Sequence, residues 1–529
     1  MKRKTFELYT ALMQRIDPLG PSLPLYDSQA SRAIEQRAAA RLPPHTLMER
    51  AGQAVARLAR AWQPHARAIV VLAGSGNNGG DGWRAATLLQ RTLGPLGAHV
   101  HVWSLGAAER QPPDARWARE AATAAGITHG AAPPPWPPDL VIDALLGLGL
   151  SRPVEGPWAR ALDWLQHCPA PTLCVDVPSG LDADSGRWWA AAPVRPRGPR
   201  ITLALLTLKP GLFTGAGRAA CGEALWFDDL GVASGADDLA PRAWTTPSAH
   251  WPDVAALRAA HDSHKGARGD VLVLGGQPAP AGGGVGMTGA AILAARAALR
   301  AGAGRVWVAL PAAASYIPAF DAGAPALMLR SGDAAFADAL HTRAVVVAGC
   351  GGGAAMAPWL PRLLQEAPRL VLDADALNAL GPVAATQASP DTIWQTRAQR
   401  GWTTVLTPHP AEAARLLGCD TAAVQAHRLH AAEALAQRLQ AVVALKGSGT
   451  VVAAPDATPY VNTSGDGLLA TAGTGDVLAG LIGARLAAET DGRTPEMEQR
   501  MVAEAVAAHG ALAQAWKRAW PPAANDLIA

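Results

Sequence analysis

The sequence predicts two α/β domains in tandem, each built on a mostly parallel sheet, and three observations carry that prediction. At 529 residues the chain is longer than one ordinary core accommodates. Two long stretches repeat one order: a short apolar or β-branched run, a Gly-rich turn, then a helical pattern, which is how parallel α/β sheets are written. Between them, from about Ala233 to about His261, a segment rich in Ala, Asp, Pro and Ser shows no periodicity and reads as a linker. The expected divisions are therefore residues 1–232, a linker over 233–260, and 261–529.

In the first stretch, Leu47, Met48, Ala51, Val55, Leu58, Ala59 and Trp62 fall at helical spacing after the Pro43-Pro44 break and form one apolar face. Ala68 to Ala73 then reads as a buried strand, followed by strand-like runs at Val100 to Trp103, Leu140 to Asp143, Leu173 to Val177 and Ile201 to Leu206. Together they predict an open, Rossmann-like sheet. In the second stretch the strands are Asp270 to Leu274, Arg305 to Leu310, Ala344 to Ala348, Leu370 to Leu372, Thr404 to Leu406, Val442 to Leu445 and Gly449 to Ala453. Gly289 to Ala301 and Gly473 to Ala488 are helices, and the polar, Pro-bearing tail after Trp516 reads as frayed.

Composition narrows the function classes. A formal net charge of +3 arises from nearly balanced acids and bases, with no basic block interleaved with aromatics, so nucleic acid is a poor partner. Five cysteines (Cys168, Cys174, Cys221, Cys350, Cys419) lack a paired CxxC spacing, which argues against zinc and a disulfide framework and fits a reducing cytoplasm. Residues 1–10 have no apolar h-region behind their basic residues, and no apolar run is long enough for a bilayer, so a soluble protein without a membrane partner is expected. Assembly as a homo-oligomer is also expected.

Chemistry-bearing strings follow the strands. Gly74-Ser75-Gly76-Asn77-Asn78-Gly79-Gly80-Asp81-Gly82 links the first predicted strand to a helix, where free N–H groups suit an anion such as phosphate. Asp143 ends a strand ahead of Gly147, Gly149 and Pro153, at the edge where open α/β sheets bind ligands, although a helix-capping Asp would look the same. Asp176-Val177-Pro178-Ser179 repeats that placement one strand later. Asn78, Asp143 and Ser179 offer only oxygen ligands, which suits a hard cation and a single shared ion site.

These strings, in this order, resemble the NAD(P)H-hydrate epimerase family over most of residues 25–232. The resemblance implies that Asn77, Asn78, Gly79, Gly80 and Asp81, then Gly147, Leu148, Gly149, Leu150, Ser151, Arg152 and Pro153, and also Asp176, meet the hydrate. It places potassium on Asn78, Asp143 and Ser179, and Lys209-Pro210-Gly211 matches a Lys-containing motif of the family. The stretch from Trp188 to Arg200 departs from the family pattern. At C6 of a hydrated dihydronicotinamide the hydroxyl can leave and return through an iminium-like species, so a carboxylate that gives and takes a proton would speed inversion. Asp176 is the candidate for that role, and a structural turn residue is the alternative.

In the second half, Gly473-Thr474-Gly475-Asp476 opens a helix with small residues and free N–H groups around one carboxylate. This arrangement could cradle a transferring phosphoryl group beside a base, or simply be an acid favoured by the helix dipole. Lys446-Gly447-Ser448-Gly449-Thr450 forms a tight turn between two β-runs, and His409, as a cap or as a substrate contact, follows another strand. With the glycines around Ala290 and Gly351, the set resembles the ADP-dependent NAD(P)H-hydrate dehydratase family, a branch of the ribokinase-like fold, across nearly all of residues 261–516. The resemblance implies that Lys446, Gly447, Ser448, Gly449, Thr450 and Gly475 meet ADP, with magnesium accompanying it. Ala290, Gly351, His409 and Asp476 would meet the hydrate, with Asp476 as base for phosphorylation. Cys350 stands where the family usually has Pro, and Asp466 and Leu468 where it has Asn and Gly.

Both halves would then serve one substrate pair, the hydrates of NADH and NADPH, in a catalytic isomerase–lyase pairing that repairs nicotinamide cofactors. A vitamin or sugar kinase shares the GxGD turn and is the nearest rival. A nucleotide-binding scaffold with an inactive first half is another, opposed by intact Asn77, Asn78, Asp81, Asp143 and Asp176.

Overall fold

The structure, a computed structural model, describes residues 13–232, 239–248, 251, 253–278, 286–311, 321–381, 393–489 and 494–528. The basic start at residues 1–10, and 233–238, 249–250 and 252 of the expected linker, lie outside the described residues. The chain forms two compact units, residues 1–17 with 23–243, and residues 18–22 with 244–529.

The first unit is a sheet of eight strands: β1 (Gln14–Arg15), β2 (Ala68–Ala73), β3 (His99–Ser104), β4 (Thr128–Gly130), β5 (Leu140–Ala144), β6 (Thr172–Val175), β7 (Arg200–Leu205) and β8 (Ala224–Asp228). Their order is β1-β8-β7-β6-β5-β2-β3-β4, and every pairing is parallel except that of β1 with β8. The run Ala68–Ala73 is apolar on both faces because helices cover both, and Val71 and Val70 accordingly enter separate cores. Helices α1 (Ser28–Arg41), α2 (Thr46–Trp62) and α3 (Asn77–Leu93) contribute to the larger of these cores. Gly79 lets α3 begin this close to the sheet, since a Cβ there would stand 2.0 Å from the Gly74 carbonyl oxygen.

The second unit runs β9 (Ala243–Thr245), β10 (Asp270–Leu274), β11 (Arg305–Leu310), β12 (Met328–Ser331), β13 (Val345–Ala348), β14 (Arg369–Leu372), β15 (Thr403–Leu406), β16 (Val442–Leu445), β17 (Val451–Ala453) and β18 (Tyr460–Val461). From β12 the order is β12-β11-β10-β13-β14-β15-β16-β17-β18-β9, parallel as far as β16, with antiparallel β17 and β18 closing one side. Helices α4 (Thr288–Arg300), α5 (Pro410–Leu417), α6 (Thr474–Ala487) and α7 (Pro495–Gln514) complete the parts used below. No described helix is long and apolar enough to cross a membrane.

Three expectations change. Within the expected linker, Trp244 and Thr245 pair with Tyr460 and Val461 as a strand too short to show a period. The strand expected through Val177 stops at Val175, because Asp176 has a left-handed backbone (φ 63) and the Val177 N–H turns back to the Val175 carbonyl. The tail is not frayed: Ala524, Leu527 and Ile528 are buried, and Ala524 and Ile528 enter the core of the second unit. The apolar residues are few, but they lie in a short 3₁₀ turn, Ala524–Ile528.

Candidate functional site

In the first unit a cavity of about 1040 Å³ opens at the carboxyl edge of β2, β5 and β6. Asn77, Asn78 and Asp81 from the start of α3 line it, together with Gly147, Leu148, Gly149, Leu150, Arg152, Pro153 and Asp176. Gly79, Gly80 and Ser151 do not line it. Gly79 and Gly80 are buried in packing, where a Cβ at Gly80 would meet Met48 and Ala115, and Ser151 faces solvent. Gly76 caps α3 without a side-chain bond, so the first N–H groups of that helix remain open to an acceptor.

The three oxygen-bearing residues come together. Ser179 donates to Asp143 through its backbone N–H (3.0 Å) and its Oγ (2.6 Å), and Asn78 Nδ2 donates to the Leu146 carbonyl at 2.9 Å. The Leu146 N–H returns to Ser179 Oγ at 2.8 Å. Asp143 is fully buried, and Asn78 Oδ1 is buried without a partner among the described residues.

Asp176 faces the cavity from its strained turn and is paired with the buried ammonium of Lys209. Lys209 also donates to the Leu205 carbonyl at 2.8 Å, and the Leu205 N–H donates to Asp176 at 3.1 Å, so the carboxylate is fixed in place. Sequence reasoning noted Lys209 as a motif residue but not as this partner, and it missed Glu35 altogether. Glu35 lines the cavity and accepts from Asn77 Nδ2 at 3.1 Å. A lone Glu in the Ala-rich α1 carries no spacing signal. Burial raises the Glu35 pKa, with the Asp176 charge adding to it and the Asn77 bond opposing. Burial likewise lifts Asp81 well above the usual carboxylate range, reinforced by Asp176, Glu35 and Asp114. Trp188 to Arg200, the departing stretch, braces the cavity loop: the Val154 N–H donates to the Trp189 carbonyl at 3.0 Å.

In the second unit Asp476 sits in the first turn of α6, and its carboxylate lies within 4.8 Å of Cys350 Sγ and of Asp373. Burial, then the charge of Asp373, push Asp476 up to about 7, against the Cys350 hydrogen bond and Lys446. Asp373, which sequence reasoning did not single out, is 2 % exposed and accepts from Lys446 Nζ and Thr407 Oγ1, each at 2.7 Å. Burial disfavours the Lys446 charge, but Asp373 and Glu412 outweigh it and hold the ammonium above its ordinary pKa. Lys446 thus faces the carboxylate cluster as well as the start of α6; its Nζ would be 3.5 Å from a Cβ on Gly475.

Beneath that turn, buried Arg428 donates to the carbonyls of Leu445, Lys446 and Gly449, and Thr450 Oγ1 donates to Gly447, while Ser448 is exposed. Gly351 (φ 60) adjoins Ala290, whose Cβ would lie 2.8 Å from a Cβ at that glycine. His409 caps α5: its Nδ1 accepts the Ala411 and Glu412 N–H groups at 3.1 Å, and Glu412 answers to the His409 N–H at 2.7 Å. An Nδ1 with two donors is unprotonated, so the ring proton sits on Nε2. The cap role is therefore filled, and the half-exposed ring also holds Nε2 3.4 Å from Glu412 Oε1. Asp466 accepts the Leu468 N–H at 2.9 Å, a bond an Asn would also make.

Residues 281–528 match the family described as NAD(P)H-hydrate dehydratase, and residues 44–211 the family described as YjeF-related protein N-terminus. The bifunctional NAD(P)H-hydrate repair enzyme of Escherichia coli is 37 % identical over 84 % of this chain and 80 % of its own. That of Coxiella burnetii is 35 % identical over 88 % and 90 %. A solved ADP/ATP-dependent NAD(P)H-hydrate dehydratase from Bacillus subtilis, co-crystallised with ATP/Mg2+, is 28 % identical, covers 51 % of this chain and 89 % of that one, and has a TM-score of 0.39. With two carboxylate-centred sites in successive α/β units and relatives matched over most of their length, the chain belongs to the family of bifunctional NAD(P)H-hydrate repair enzymes.

Proposed function

We propose that the first unit interconverts the R and S forms of hydrated NADH and NADPH, and that the second dehydrates the S form at the expense of ADP. One observation carries the reading: a single chain holds both a cavity with a lysine-fixed carboxylate, Asp176, and a helix-start carboxylate, Asp476, pushed up to about 7. In the first unit Asp176, in its protonated form, gives its proton to the C6 hydroxyl as the C–O bond breaks, releasing water and leaving an iminium. Water then adds to the opposite face and gives a proton back to Asp176. In the second, Asp476 takes the hydroxyl proton while the oxygen attacks the terminal phosphorus of ADP, releasing AMP. Phosphate then leaves C6 as a C5 proton is lost, which restores the dihydropyridine.

The oxygen set fits potassium. Asn78 Oδ1 has no other partner among the described residues, Asp143 is a buried carboxylate, and Ser179 adjoins it. When bound, the ion supplies a fixed positive charge that favours the anionic parts of the substrate. Replacing potassium by a large organic cation is expected to slow epimerisation several-fold and leave dehydration of the S form unchanged; equal rates in both salts count against the site. For magnesium, Asp373 and Asp476 are the two carboxylates that come together with Cys350 among the described residues, and Asp373 is already taken by Lys446 and Thr407, with Asp375 taken by the Gly353 N–H. Any such ion is therefore held by the nucleotide phosphates.

The test is incubation of the purified protein with mixed NADH hydrate epimers and ADP or ATP. Return of NADH absorbance beyond the S fraction supports both activities. A stable phosphorylated hydrate without NADH would identify a kinase instead.

A further inference from the structure

We propose that Asp373, clamped by Lys446 and Thr407, is a positioning residue that keeps the Asp476 carboxylate a ready proton acceptor, with Cys350 acting on Asp476 in the opposite sense. The inference rests on the dehydratase reading of that site.

Oδ1 of Asp373 is committed, accepting Lys446 Nζ and Thr407 Oγ1 at 2.7 Å, and the one proton of the Cys350 thiol is shared between Asp373 Oδ2, at 3.8 Å, and Asp476. The residue is 2 % exposed at the end of β14, its N–H bonded to the Ala348 carbonyl at 3.0 Å, so it acts through its neighbour. Its carboxylate, the Cys350 thiol and the Asp476 carboxylate lie within 4.8 Å of one another. A fixed negative charge at that range makes a proton on Asp476 more favourable, whereas a thiol hydrogen bond to the ionised form makes it less so. The thiol remains a donor because burial, with Asp373 and Asp476, holds it well above its ordinary range.

The other groups facing the cluster leave this balance in place. Asp375 follows Asp373 on the β14 side, and Lys446 from the end of β16 is shared between Asp373 and Glu412 of α5. His509 of α7, beside Thr474, is pushed down to about 4 by burial and Lys446 and is therefore neutral.

The experiment measures kcat for NADH regeneration from the S hydrate between pH 6 and 9, at saturating ADP, in the full chain. The nucleotide's own ionisation is common to every variant. Asp373→Asn keeps the shape and removes the charge; the acid limb, near pH 7 in the wild type, should move down by at least about one unit, and the plateau should fall about tenfold as the base weakens. Cys350→Ala should move the limb the other way, upward by a few tenths. Epimerisation by the same preparations should be unchanged. A lowered plateau with an unmoved limb in Asp373→Asn overturns the proposal, as does a downward shift in Cys350→Ala, which remains informative should Asp373→Asn fail to fold. A wild type that regenerates no NADH would instead refute the dehydratase reading itself.

Discussion

Asp476→Ala is expected to cut NADH regeneration by at least on the order of a hundredfold while epimerisation proceeds at the wild-type rate. The carboxylate is the one group at the start of α6 that can take the proton of an attacked hydroxyl, and it belongs to a different unit from Asp176. Because Asp476 is pushed up to about 7, the wild-type dehydratase should lose rate below that pH, where the group is protonated, and hold it above. The same shift has a stability consequence whose sign is fixed. A carboxyl whose folded pKa lies above its unfolded one binds more protons in the folded state between about 3.8 and about 7, so its contribution falls as pH rises through that window. At pH 8, Asp476→Asn should therefore melt at a higher temperature than the wild type although it is inactive. Near-normal dehydration in either variant would remove Asp476 from the mechanism.

What could be read from the sequence was whatever writes itself in consecutive residues. Ala68–Ala73 announces a buried strand because both of its faces are apolar, and the glycines after it announce a turn with free N–H groups. Thr128–Gly130 and Tyr460–Val461 are too short to show a period, and the first pairs with His101–Trp103 while the second pairs with Trp244–Thr245, far away in sequence. Asn78, Asp143 and Ser179 could be singled out because each lies in a recognisable motif, and folding brings Ser179 onto Asp143 and Asn78 onto the Leu146 carbonyl. Glu35 and Asp373 were not, since their significance lies in what folding brings against them: Asn77 for the first, Lys446, Thr407 and Cys350 for the second. Gly79 and Gly80 show the converse, where a motif position serves backbone packing rather than the cavity wall.

The division of labour between the halves is best tested by point substitution, because cutting the chain at its apparent linker would remove structure from the second unit. Residues 18–22 belong to that unit, where Thr463 Oγ1 donates to the Pro18 carbonyl at 2.7 Å, and Trp244 and Thr245 supply a strand. Asp176→Asn leaves these contacts alone. It removes the charge that Lys209 fixes at the cavity and should lower epimerisation on the order of a hundredfold if Asp176 carries the proton. With a mixture of NADH hydrate epimers and excess ADP, the variant should show two phases. The S form should disappear at the wild-type rate, and the R form should follow only as fast as it epimerises spontaneously. Adding Asp476→Ala protein, whose epimerase is intact, should restore a single fast phase by supplying S from R in solution. If Asp176→Asn alone consumes both epimers in one fast phase, inversion does not depend on this carboxylate, and the assignment of the two reactions to separate units fails with it.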